Sequence, residues 1–132
     1  LISTPSGGVP ASSLQKGMPV WTRDLSGSAV LASVLEVSTV QAPTKHRLLA
    51  VSLADGRSFS ASPNHPDDSG KPLGRLQVGD VLDGAKVEAL EMVEYLHPQT
   101  WDLLPSGETG IYKVNGVWLG STLFESGSVA NK

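Results

Sequence analysis

An all-β domain is the fold class this sequence predicts, and three observations predict it. Glycine (14) and proline (9) of 132 residues lie above the ~7% and ~5% of ordinary chains. These residues punctuate short apolar–polar stretches almost throughout, leaving no room for long helices. The best-defined stretches between them are rich in β-branched and alternating apolar residues, which suit a pleated, half-buried surface. The length fits one domain.

The elements follow in chain order. Val30–Val40 is β-branched and apolar, bounded by Ser-Gly-Ser and Ala-Pro, and reads as a strand. Leu49, Val51 and Leu53 alternate with Ala50 and Ser52, and Asp55-Gly56 follows. That pair supplies the positive φ angles of a primed hairpin turn, with Phe59 opening the returning strand. Val87–Tyr95 suits a strand on context, although Val87, Leu90, Glu91 and Glu94 also fit a period of 3.6. Thr100–Leu104, a Pro-Ser-Gly turn, Ile111–Val114 and Val117–Leu119 complete the strands. Residues 1–124 are expected to form the domain, and Glu125–Lys132, small and polar, a frayed tail.

An internal repeat is visible. Gly8–Gly17 (GVPASSLQKG) and Gly70–Gly79 (GKPLGRLQVG) share Gly, Pro, Leu, Gln and Gly at equivalent positions, 62 residues apart. Five identities in ten exceed the roughly 0.6 that chance gives at ~6% per position. Each half then continues with an apolar strand, a Gly turn (Asp55-Gly56; Ser106-Gly107) and a strand running toward Asn64 or Asn115. Two related β-subdomains in one pseudo-symmetric domain are expected.

Composition narrows function. Ten basic against thirteen acidic residues give a net charge of −3, so there is no basic field for nucleic acid. No apolar run reaches the ~18–20 residues that span a bilayer, and no signal-like segment opens the chain. Without cysteine there is no disulfide framework, thiolate metal site or cysteine nucleophile in these residues, and the compartment is left open. The candidate chemistry rests on His46, His65 and His97 with nearby acids and hydroxyls. The densest group is Ser62-Pro63-Asn64-His65-Pro66-Asp67-Asp68, in which His65 suits acid–base work near neutrality. The same residues are also ordinary turn formers. A metal site drawing on His65, Asp67, Asp68, His46 or His97 lacks ligand spacing. A Ser-His-Asp hydrolase lacks its Gly-x-Ser-x-Gly elbow, and no phosphate-binding glycine loop is present. Trp21, Trp101 and Trp118 are expected as core anchors.

Four stretches together resemble the Hint superfamily of hedgehog autoprocessing domains, inteins and bacterial intein-like domains. Leu1–Gly7 running into Leu14-Gln15-Lys16-Gly17-Met18-Pro19-Val20 is similar to the family's opening block. Ser62-Pro63-Asn64-His65 resembles its Thr-x-x-His block, and Leu76–Leu82 the segment that follows. Thr100–Leu103 through Tyr112–Val117 is similar to the late Tyr-x-Asp-Leu block. The resemblance covers residues 1 to about 124 and implies a β-strand horseshoe with pseudo-twofold symmetry, in keeping with the repeat.

The chemistry it implies is autocatalytic. A Cys or Ser at the start of the domain attacks the preceding carbonyl, converting an amide into a thioester or ester. The resemblance makes His65 the residue that protonates the leaving nitrogen, Ser62 the hydroxyl that polarises the carbonyl, and Asp102 the carboxylate that tunes the nucleophile. Family spacing places the nucleophile about six residues upstream of Leu1; the rivals are its replacement at position 1 or a member that never had one. Gly120-Ser121 stands where splicing inteins carry His-Asn, and Val129-Ala130-Asn131 lacks the His, so N-terminal cleavage or ligation is expected rather than splicing. The substrate is the chain's own flanking segments. No cofactor, metal, nucleic acid or membrane is implied, the domain is expected to be a monomer, and residues 1–132 alone are expected to be inert. The competing class is a non-catalytic β-module that binds another protein.

Overall fold

The computed structural model describes residues 1–124, so the expected tail and the Val129–Asn131 segment lie outside the described residues. Eleven strands form: β1 (Ile2–Thr4), β2 (Gly7–Val9), β3 (Pro19–Arg23), β4 (Ala29–Gln41), β5 (Arg47–Leu53), β6 (Ser58–Ala61), β7 (Val81–Leu82), β8 (Ala85–Glu94), β9 (Gln99–Pro105), β10 (Ile111–Val114) and β11 (Val117–Gly120). They make three antiparallel sheets, ordered β11-β10-β1-β2, β3-β4-β9 and β6-β5-β8-β7. Every strand expected from sequence is present. β1, β2, β3 and β7 are not among those expected; β1, β2 and β7 are only two or three residues long, too short to show alternation.

The repeat is a structural repeat. Ala11–Ser13 and Leu73–Arg75 are both single 3-10 turns, entered from Pro10 (φ −58°, ψ 140°) and Pro72 (φ −59°, ψ 135°). Gly17 and Gly79 then take φ of +87° and +97°, the left-handed region that a side chain disfavours. Their N–H groups donate to equivalent carbonyls, Val34 and Val87, each at 2.8 Å. Val20 faces Ala32 across β3–β4 as Leu82 faces Ala85 across β7–β8. Even the irregularities match: Leu35 is the extra residue after Val34 on β4, and Glu88 the one after Val87 on β8.

The halves exchange strands. β5 follows β4 in the chain yet pairs with β8, while β9 follows β8 yet pairs with β4. Two cores result. One holds Ile2, Leu14, Val20, Ala32, Val34, Leu103 and Tyr112; the other holds Leu49, Val51, Leu53, Phe59, Leu73, Leu82, Val87, Val117 and Leu119. Val114 packs against both. This is the all-β, duplicated horseshoe that the sequence predicts.

Two local readings change. Only Gly56 of the Asp55-Gly56 pair takes positive φ (+95°), and Leu53 N–H donates to Arg57 O across a three-residue loop, so the turn is not a primed one. Of the tryptophans only Trp118 is buried, with the Arg23 and Lys113 cations 5.4 and 4.8 Å from its ring centroid. Trp21 and Trp101 are half-buried.

Fully buried Leu73 holds the second 3-10 turn in its core, so Leu73→Ala is expected to cost about 2–5 kcal/mol in urea unfolding. Leu35→Ala, at the exposed bulge, should change stability by no more than about 0.5 kcal/mol.

Candidate active site

Ser62 and His65 are the two ends of one turn. His65 N–H donates to Ser62 O at 2.9 Å, so the Ser-x-x-His spacing is the span of a β-turn. The second 3-10 turn holds this turn in place: Leu73 N–H donates to His65 O (2.9 Å) and Gly74 N–H to Pro63 O (2.8 Å). On the other side Gly120 N–H donates to Pro66 O (3.1 Å), tying the loop to the end of β11. Both glycines lie close against the loop, Gly120 the more tightly. A Cβ at Gly120 would stand 2.8 Å from Asp67 O, and one at Gly74 would stand 3.3 Å from Pro63 O. Asp67 and Asp68 serve the loop itself. Asp67 Oδ1 accepts from Ser69 N–H, Ser69 Oγ and Lys71 N–H, while Asp68 pairs with Arg23 at 2.8 Å. The turn reading and the acid–base reading of this segment therefore both hold, for different residues.

Asp102 lies on β9, opposite Ser38 of β4, and is buried. A buried carboxylate needs donors, and this one has four. Oδ1 accepts from Leu103 N–H (2.8 Å) and Tyr112 Oη (2.5 Å), and Oδ2 accepts from Thr122 N–H (2.7 Å) and Thr122 Oγ1. Tyr112 Oη also lies 3.4 Å from His65 Nε2. Its single proton goes to Asp102, so toward His65 it can only accept. Burial raises the Tyr112 phenol well above its ordinary range, with the Asp102 charge adding to the effect, so the hydroxyl stays protonated. Burial lowers the His65 imidazole below its ordinary value, against the opposing pull of Asp102 and the Gly120 backbone. His65 is therefore a neutral base at neutral pH, and its protonated form is stabilised by the Tyr112–Asp102 relay.

The turn and the carboxylate share a cavity of about 240 Å³ lined by Ser62, His65, Trp101, Asp102 and Tyr112, together with Leu1 and Ile2. The structure thus brings together Ser62, His65 and Asp102. It places His46 against Ser62, with Nε2 and Oγ 3.1 Å apart, and sets His97 beside Tyr95, with ring centroids 5.5 Å apart and planes at 47°. Among the described residues no three His, Asp or Glu side chains gather as metal ligands. Sequence reading missed Tyr112 and Thr122 as site residues, because neither sits in a recognisable chemical spacing with His65. A phenol ten residues after a carboxylate becomes its partner only when β9 and β10 are folded.

Solved structures match this arrangement of strands. The bacterial intein-like domain from Clostridium thermocellum superposes with a TM-score of 0.74 at 23% identity, over 90% of this chain and 92% of that one. The DnaB intein from Synechocystis sp. PCC 6803 gives 0.72 at 20% identity, over 93% and 94%. The gp41-1 intein gives 0.70 at 22% identity, over 90% and 91%. The chain has the Hint fold. No protein-family model and no curated protein matches it. The candidate site lies where the two halves of this Hint fold meet.

Two outcomes test the site. Because His65 is held neutral, the unfolded chain binds more protons than the folded one between the lowered folded pKa and the ordinary 6.5. Stability is complete above that value and falls as acid carries the pH down through the window. His65→Gln should flatten this fall in a series of thermal melts below pH 6.5. Asp102→Asn puts an amide among four donors and should lower stability by about 1–3 kcal/mol in urea titration.

Proposed function

We propose that this is the Hint domain of a self-processing protein, which in its intact form makes an N-terminal thioester or ester and cleaves or transfers the preceding segment. The observation that carries the reading is the shared cavity: His65, the relayed carboxylate of Asp102 and the Leu1–Ile2 start of the chain all line it. A nucleophile about six residues earlier is within ~20 Å of extended chain, enough to fold back toward His65.

The steps follow from the groups present. The nucleophile's sulfur or oxygen attacks the preceding carbonyl carbon, and the carbon–nitrogen bond breaks. Neutral His65 takes the nucleophile's proton and returns it to the leaving nitrogen, giving a free amine and a thioester or ester. Ser62 hydrogen-bonds the carbonyl oxygen as it gains charge. Asp102 keeps a negative charge close to His65 through Tyr112 and so favours the transiently protonated imidazole. Gly120 stands where a splicing intein carries histidine, and a Cβ there would meet Asp67 O at 2.8 Å, which favours N-terminal cleavage or ligation over splicing.

The second reading is an inactive Hint fold that serves as a protein-binding β-module. What favours it is that protein donors already occupy both oxygens of Asp102, leaving the carboxylate no obvious vacancy for a nucleophile.

Intact mass measurement of the full-length protein, with its native upstream residues, decides between them. Loss of the upstream segment at one bond, accelerated by thiol or hydroxylamine and slowed at least ~100-fold by His65→Ala, is expected. An unchanged mass across thiol and pH conditions supports the binding module.

A further inference from the structure

Ser62 has a partner that none of the sequence blocks contains. His46, in the loop between β4 and β5, places Nε2 3.1 Å from Ser62 Oγ. The loop fixes the imidazole independently of that bond. His46 N–H donates to Pro43 O (3.0 Å), and Tyr95 N–H donates to His46 O (3.0 Å). The ring stands edge-on to Tyr95, with centroids 5.8 Å apart and planes at 89°. Among the described residues Ser62 Oγ has no other hydrogen-bond partner, and Ser62 lines the cavity beside His65.

A serine–histidine pair can run in either direction. If Ser62 gave its proton to His46 it would be primed as a nucleophile, as in a hydrolase. The surrounding backbone argues against that direction. In the nucleophile-elbow hydrolases the N–H of the residue after the serine helps stabilise the oxyanion, and here that residue is Pro63, which has none. Ser62 also sits in a hydrogen-bonded turn rather than on a strand-to-helix elbow. In the opposite direction His46 Nε2–H donates to Ser62 Oγ, and the serine's own proton is free to point into the cavity. Such a chain of donors strengthens as the terminal acceptor gains negative charge.

We propose that His46 is a positioning residue for the self-processing reaction: it donates to Ser62 and so aims the Ser62 hydroxyl at the carbonyl oxygen of the scissile bond. The inference rests on the self-processing reading. No proton is transferred along this chain; His46 donates to Ser62, and Ser62 donates to the oxygen that gains charge.

The test compares thiol-induced release by the full-length protein in the wild type, His46→Leu, His46→Gln, Ser62→Ala and the Ser62→Ala/His46→Leu double variant. His46→Leu should slow release about tenfold or more, and His46→Gln, whose amide N–H can replace the imidazole donor, should restore most of the rate. In the Ser62→Ala background His46→Leu should have no further effect. Imidazole nitrogen NMR of the same protein should show the His46 proton on Nε2, with a signal that moves in Ser62→Ala. Unchanged release in His46→Leu, failure of glutamine to rescue, or a proton on Nδ1 with Nε2 accepting would each overturn the proposal. Absence of release in the wild type would instead sink the self-processing reading and the catalytic role with it. The imidazole signals would still decide which way the hydrogen bond runs.

Discussion

Neither half of this molecule completes its sheet with its own strands. β5 leaves the first half to pair with β8, and β9 leaves the second to pair with β4. Everything at the candidate site depends on that exchange. Asp102 rides on the exchanged strand β9, and the Ser62–His65 turn follows the hairpin that begins with exchanged β5. The two groups meet only because each strand has crossed over. A pseudo-twofold duplication thus creates a junction at which residues 40 apart in the chain come to serve one cavity.

The duplicated segment has been used differently in the two halves. In the first, the 3-10 turn at Ala11–Ser13 packs beside the sheet and Ala11 lines the cavity wall. In the second, the equivalent Leu73–Arg75 turn turns its amides to the carbonyls of Pro63 and His65 and so supports the turn that carries His65. The same proline-entered turn and left-handed glycine fix the backbone path in both. Different neighbours decide that one copy is packing and the other is a bracket for the site.

Electrostatics at the junction follow from burial more than from net charge. A chain of −3 has no long-range field to speak of, yet a single carboxylate removed from water collects four donors and holds a phenol and an imidazole in line. Burial keeps His65 neutral, and the carboxylate offers compensation whenever a proton arrives. That is a poised base, and it arises because Asp102 and His65 share the cavity while differing in how well their charges are satisfied.

Much of the fold was legible from sequence for a plain reason. Alternating apolar residues at Leu49, Val51 and Leu53, glycine at turns, and the Gly-x-Pro…Leu-Gln-x-Gly repeat are local patterns, and local patterns report local structure. The Ser62–His65 spacing was legible too, because it spans one turn. The family resemblance pointed to Asp102 and to the horseshoe. Tertiary structure alone decided the strand exchange, the Tyr112 and Thr122 bonds to Asp102, the His46 contact with Ser62, and the half-burial of Trp21 and Trp101. Each of those joins residues whose positions relative to one another are set by sheet pairing, which no window along the chain contains.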